Sequence, residues 1–329
     1  MIARDTRPRR PRRPLRPFRK LTDVLRAYAA YHGNAASTIE QKTVAINMLR
    51  RFLNRPKVRA RLQAEGPIEP TTRHLRRKLI LAFLRWYGKQ VQPATVANKR
   101  KDLVALWGYA YDEGMLRRPA YRIKRPRVPE KVPEGWNEEE LRRILAACDT
   151  LPISKFDRTR GRLGNGVPLG KYFRAFALCY LATGLRLSAM LMVRRVDVRT
   201  DLTFTARWQT QKTWCEEQKQ LTPEAWAAIK SLGDHEFCLP YGQTKNQRRK
   251  VIWPTWKRIL RAAGLDDSRG TGPQQLRRTA ASFKEKQQPG SGEKFLNHKT
   301  PGLARRRYFV PRIVQQNVVA PPTLNLGPG

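Results

Sequence analysis

The stretch from Arg117 to Gly135, RRPAYRIKRPRVPEKVPEG, does most to constrain what this chain can fold into. Proline has no amide donor and locks φ, so Pro119, Pro126, Pro129 and Pro133 deny the segment a helix and a place inside a sheet. The stretch is also charged and without apolar periodicity, which predicts a semi-extended linker. Cores must then form separately on either side of it, and 329 residues are enough for two. The expected organisation is a basic arm over 1–20, a helical domain over 21–116, the linker over 117–135, a second domain over 136–312 and a tail over 313–329.

The first domain reads as helical throughout. Leu21, Val24, Leu25 and Tyr28 recur at helical spacing behind Thr22 and Asp23. Ser37 and Thr38 offer an N-cap to a second helix through Val44, Met48, Leu49 and Phe52. A third is expected from about Thr72 through Leu75, Leu79, Ala82, Phe83 and Trp86. A fourth, Thr95 to Tyr111, follows the turn at Gln92-Pro93 and buries Val96, Leu103, Leu106, Trp107 and Ala110. Four helices with short connections make a bundle. Arg73, Arg76, Arg77, Lys99, Arg100 and Lys101 are placed on its polar faces.

The second domain mixes elements. Asn137 opens a helix with Glu138, Glu139 and Glu140 in the first turn, where the helix dipole favours acids. A Gly/Arg/Lys-rich loop is expected over 155–171. The apolar run Tyr172 to Leu185 has the length of a buried helix, stops at Gly184 and is followed by Arg186, a charge that needs an anionic partner. Thr203 to Trp208 and Glu217 to Leu221 read as antiparallel strands joined by a turn that projects Lys212. Thr222 and Pro223 start another helix, and Trp253 to Ala263 is one more. The fold class is therefore mainly α with a small antiparallel β-sheet.

Charge narrows the partner. The chain has 67 Lys+Arg against 26 Asp+Glu, a formal +41. An excess of this size repels itself in a compact state, and a polyanion is the partner that relieves it. The arm RPRRPRRPLRPFRK, too charged and proline-rich to collapse, fits an extended segment along phosphates or a solubilising tail. The cysteines Cys148, Cys179, Cys215 and Cys238 form no CxxC pair, so neither a disulfide framework nor a zinc site is expected. No apolar run reaches the ~20 residues of a membrane span and no secretory signal is present. A cytoplasmic, nucleoid-associated protein is expected.

Chemistry concentrates between Gly272 and Pro311. There stand Gln274, Leu276, Arg277 and Arg278, then His298, the one histidine of the last ninety residues, then Tyr308 behind Arg305-Arg306-Arg307. Guanidinium groups hold phosphate in a planar fork, imidazole can donate to a phosphoryl oxygen, and a phenolic oxygen can attack phosphorus. Taken singly, each has a plain structural reading.

In order and spacing the chain resembles the tyrosine recombinases, or phage integrases, from about Leu21 to Pro311. Its first half is similar to their helical core-binding domain, including Asn98 and Trp107. ATGLRLSAMLMVRRVDV resembles their first box, whose arginine is Arg186 here. Lys212 matches the turn lysine between two strands. The second box, usually His-x-Leu-Arg, is Gln274-Gln275-Leu276-Arg277. The Leu-Gly-His motif is Leu296-Asn297-His298, and the tyrosine is Tyr308. The chain departs from the pattern at Gln274, at Ala189 where Glu is common, and at Asn297 where Gly is usual.

The resemblance implies a mixed α/β C-terminal catalytic domain and a site-specific recombinase or integrase. Such an enzyme acts on double-stranded DNA as a homotetramer on two duplexes, without cofactor or metal. It also implies the roles. Tyr308 would form a 3′-phosphotyrosine, Arg186 and Arg277 would clamp the phosphate, Lys212 would protonate the leaving 5′ oxygen, and His298 would donate to a phosphoryl oxygen. Gln274 would bind phosphate but could not carry a proton. A catalytically weak relative that only binds DNA, and a type IB topoisomerase with the same chemistry, remain as alternatives.

Overall fold

The structure is a computed structural model that describes residues 18–33, 35–120, 123–151, 161–163, 165–210, 215–268, 271–297 and 307–314. It divides into two units, 1–130 and 131–329.

The first unit holds helices α1 (Leu21–His32), α2 (Ala36–Leu53), α3 (Pro56–Arg61), α4 (Arg77–Gly88) and α5 (Pro93–Asp112). The apolar spacing seen in the sequence becomes a shared core of Leu21, Ile46, Leu49, Phe52, Leu53, Ile80, Phe83, Leu103 and Leu106, all buried. Each such side chain contributes roughly 1.5–3 kcal/mol by leaving water. Phe83 stacks on Tyr87 at 5.7 Å and meets Phe52 edge-on at 5.8 Å. Gly33 takes the left-handed conformation (φ 57°) that ends α1, a conformation glycine adopts without a Cβ penalty.

Three details differ from the expectation. Helix α2 starts at Ala36 with Ala35 before it, so Ser37 and Thr38 lie inside its first turn, because alanine extends a helix at little cost. The third expected helix is a 3₁₀ turn at Thr72–His74 followed by α4, and α3 opens on Pro56, which suits a first helical position. Lys99 and Arg100 do not ride on a free polar face. Lys99 is buried, donates to the Gln41 carbonyl at 3.2 Å and lies 3.7 Å from Asp102, which Lys42 approaches to 3.8 Å. Arg100 donates through Nε to the Ile123 carbonyl at 3.0 Å, and Ile123, within the proline-rich stretch, is buried in this core.

Asp102 is thus the acid between two buried ammonium groups. Asp102→Ala is expected to destabilise this unit by about 3 kcal/mol, since it strands both cations in a dry site. Denaturant unfolding followed by far-UV circular dichroism would measure the loss, and a change under about 0.5 kcal/mol would contradict it.

The second unit is arranged around the helix α7 (Leu169–Thr183), whose Tyr172, Phe173, Phe176 and Tyr180 are fully buried. Around it stand α6 (Glu138–Asp149), α9 (Pro223–Lys230) and α12 (Gln274–Gln287). Asn137 caps α6 through a reciprocal box with Glu140 at 2.8 Å each way, as the acidic first turn suggested. Gly184, left-handed at φ 57°, ends α7, and Arg186 opens the short helix α8 (Leu187–Met190). The strands β1 (Thr203–Ala206) and β2 (Glu217–Gln220) pair antiparallel with Ala206 opposite Glu217. Helices α10 (Lys245–Gln247), α11 (Trp253–Ala262), α13 (Ser291–Leu296) and α14 (Pro311–Val314) complete it. Of the loop expected over 155–171, Leu169 to Lys171 form the first turn of α7, while 155–160 and Gly164 lie outside the described residues. No helix among the described residues is long and apolar enough to cross a membrane.

Candidate active site

The site is assembled at the N-terminal turn of α12. Gln274 and Arg277 fall one turn apart there, and Arg277 points inward to a position only 1% exposed. Its guanidinium is gripped by two carbonyls: Nη1 donates to Gly184 at the end of α7, and Nη2 donates to Leu296 at the end of α13, 3.1 Å away. The planar fork is therefore fixed by two elements distant in sequence. Burial pushes its pKa down, with Tyr308, Tyr180 and Glu217 opposing and Arg186 adding to the effect. Arginine stays charged through any such shift.

Tyr308 packs its ring against this cation, 5.5 Å from the guanidinium carbon to the ring centroid. The segment around it is held to α12: the Val310 amide donates to Ser282 Oγ at 2.8 Å, and Ser282 Oγ reaches the Tyr308 carbonyl at 3.3 Å. Phe309 and Val310 are buried beside it. Gly292 allows the neighbouring α13 to sit close, because a Cβ there would lie 2.6 Å from the Phe309 ring.

Arg186 stands at the cap of α8, near enough to Arg277 to act on its charge. Its Nη1 is buried and has no hydrogen-bond partner among the described residues. A buried guanidinium nitrogen without an acceptor costs free energy that an anion would recover.

Two neighbours were missed in the sequence. The Tyr180 hydroxyl donates to Gln274 Oε1 over a long 3.4 Å. Burial raises the pKa of that hydroxyl despite the Arg277 charge, so it remains a donor at neutral pH. The other neighbour is the pair Glu217 and Lys219 on β2, which share a face of the strand by its alternation. That alternation, charged residues at 217 and 219 with an amide between them, was the available signal, and its high polarity hid it.

Asn297 explains one departure. It adopts φ 49°, ψ 53°, left-handed, at the cap of α13. Asparagine is among the few non-glycine residues that take this conformation readily. The replacement thus keeps a backbone shape that glycine also adopts. Gln274, Arg277, Tyr308 and Arg186 are brought together; Lys212 and His298 lie outside the described residues.

No protein-family profile matches the chain. Over 271 residues, 79% of this chain and 79% of the other, it is 24% identical to tyrosine recombinase XerA of Pyrococcus furiosus. Its structure superposes on a lambda integrase tetramer bound to a Holliday junction with a TM-score of 0.64, at 17% identity, covering 87% of this chain and 76% of that one. The Tn1549 transposon integrase in complex with circular intermediate DNA gives a TM-score of 0.56 at 11% identity, over 88% and 95% of the two chains. The chain has the fold of the tyrosine recombinase family. A third neighbour, the XerH site-specific recombinase bound to difH, matches with a TM-score of 0.58 at 15% identity over 87% and 81%.

Proposed function

We propose that this chain is a site-specific DNA recombinase or integrase that cleaves and rejoins strands through a 3′-phosphotyrosine. The observation that carries this reading is the Tyr308 ring held 5.5 Å from the buried Arg277 guanidinium, with an Arg186 nitrogen that has no partner among the described residues in the same electrostatic neighbourhood. A nucleophile beside a preorganised phosphate clamp, in a chain of formal charge +41, suits attack on a nucleic-acid backbone. The relatives named as bound to core-site, Holliday-junction and difH DNA support double-stranded DNA as the partner. The tetrameric lambda integrase supports a homotetramer on two duplexes.

In this reading Arg186 and Arg277 bind the non-bridging oxygens, and the Gln274 amide adds neutral donors. Tyr308 Oη forms the bond to phosphorus as the P–O5′ bond breaks. Lys212 gives its proton to the departing 5′ oxygen, and His298 donates to a phosphoryl oxygen. The phenol's proton passes to water, because an amide cannot take it. The phosphotyrosine conserves the energy of the broken bond, so another strand's 5′-hydroxyl can reverse the step without ATP. The domain over 21–116 is the core-binding domain in this account, with 136–312 catalytic.

The test is covalent capture. A duplex carrying the protein's own site, nicked so that the cleaved end diffuses away, should give an adduct that survives SDS. Peptide mapping should place the DNA on Tyr308. An adduct mapped to any other residue, or none, would overturn the reading.

Gln274→His is expected to raise single-turnover cleavage by up to about tenfold. The rate should climb as pH rises through roughly 6.5, where an imidazole becomes neutral and can accept the phenol's proton. An unchanged rate and a flat pH profile across pH 5.5–7.5 would show that position 274 has no part in proton transfer.

A further inference from the structure

Lys219 and Glu217 on β2 are buried charges that the mechanism above leaves unused. The two side chains are 8% and 2% exposed and lie 3.3 Å apart. We propose that they form a positioning pair, built into β2, that sets Arg277 and the end of α13 for strand cleavage. The inference rests on the function proposed above and extends it to residues that touch no substrate.

The connections run through adjacent backbone carbonyls. Lys219 Nζ donates to the carbonyl of Phe295 and sits 5.2 Å from the centre of that ring. Arg277 takes the next carbonyl, Leu296, together with Gly184. The Phe295 ring closes the triangle. It lies so near Gly184 that a Cβ there would be 2.2 Å from a ring carbon. The last turn of α13 is thus held by a lysine from β2 and an arginine from α12. In the chain, Asn297 and His298 follow directly, and β2 begins five residues after Lys212. One pair therefore ties together the starting points of both segments expected to bring proton donors to the phosphate.

Electrostatics explains why the device is a pair. A lone buried ammonium among arginines would be expelled or would lose its proton, and a partnered one is tolerated. Glu217 acts on both Lys219 and Arg277. Ala189 beside the clamp is buried and uncharged, and Glu217 on β2 is an acid that acts on Arg277. Arg186, Arg277 and Lys219 against Glu217 leave an excess of two positive charges. That excess, joined by the Lys212 ammonium of the mechanism above, favours the negative charge a phosphodiester gains as it becomes five-coordinate.

The experiment measures adduct formation on the nicked duplex at saturating protein, alongside the dissociation constant for the same DNA. It uses the full chain as wild type, Lys219→Met and the doubly neutral Glu217→Gln/Lys219→Met. The double variant strands neither member of the pair and keeps the shapes, which guards against misfolding of the single one. Both variants are expected to form adduct about 10- to 100-fold more slowly, while the dissociation constant stays within about twofold. A merely structural role would move affinity and unfolding temperature together with rate. Wild-type rates in the double variant, or a rate loss matched by equal loss of affinity, would overturn the proposal alone. Absence of any adduct in the wild-type protein would overturn the function on which it rests, and the pair's role with it.

Discussion

Replacing Tyr308 by phenylalanine is expected to remove the SDS-resistant DNA adduct entirely. The substitution deletes one oxygen and keeps the ring that faces Arg277 at 5.5 Å, so the packing of the last described segment on α12 is retained. Stability should change by no more than about 1 kcal/mol, and DNA affinity should hold. The rate of strand cleavage should fall by at least about 10⁴-fold, the scale on which losing a nucleophile acts. Single-turnover cleavage, DNA affinity and unfolding temperature measured on one preparation would check all three. An adduct as abundant in Tyr308→Phe as in the wild type would transfer the nucleophile's role elsewhere.

Arg277→Ala carries the second large effect, and it acts on stability as well as rate. Arg277 is one of the largest fully buried side chains, and its removal strands the carbonyls of Gly184 and Leu296 away from water. Each buried acceptor left unpaired costs about 1–3 kcal/mol, and the vacated volume adds to it. A loss of about 3–5 kcal/mol in unfolding free energy is expected. Cleavage should fall by about 10²–10³-fold, the effect of removing one preorganised donor. Arg277→Lys separates the two contributions. Its ammonium keeps the charge but cannot bridge two carbonyls in one plane, so it should recover part of the stability while cleavage stays low. Full activity in Arg277→Lys would show that charge alone matters at this position.

Much of this site was legible before folding, because short-range signals wrote it. Gly184 ends α7 since glycine accepts a left-handed φ, and that stop puts Arg186 at the next cap. The Asn137 box and the Thr222-Pro223 start are local hydrogen-bond chemistry and appear where the residues suggested. The misreadings were also local in origin. Ser37 and Thr38 resembled caps, yet alanines carried α2 further back. Lys99 resembled a surface cation, yet a helix turn later Asp102 offered it a buried partner.

The pattern of residues by itself determined which groups could do phosphate chemistry and in what order they come. Arginine's fork, tyrosine's oxygen and the spacing between them are properties of the chain. Tertiary structure alone decided how that chemistry is held. Arg277 is fastened to carbonyls 93 and 19 residues away in the chain, Gln274 is oriented by Tyr180, and β2 delivers Glu217 and Lys219 beneath the clamp. Backbone carbonyls are identical at every position, so no sequence pattern marks the ones that will receive a guanidinium or an ammonium. Which carbonyls meet which cations is set by where α7, α12, α13 and β2 pack, and packing sums many weak contacts across the whole unit. The chain divides after Glu130, and the cations on either side acquire their partners only once each core has closed.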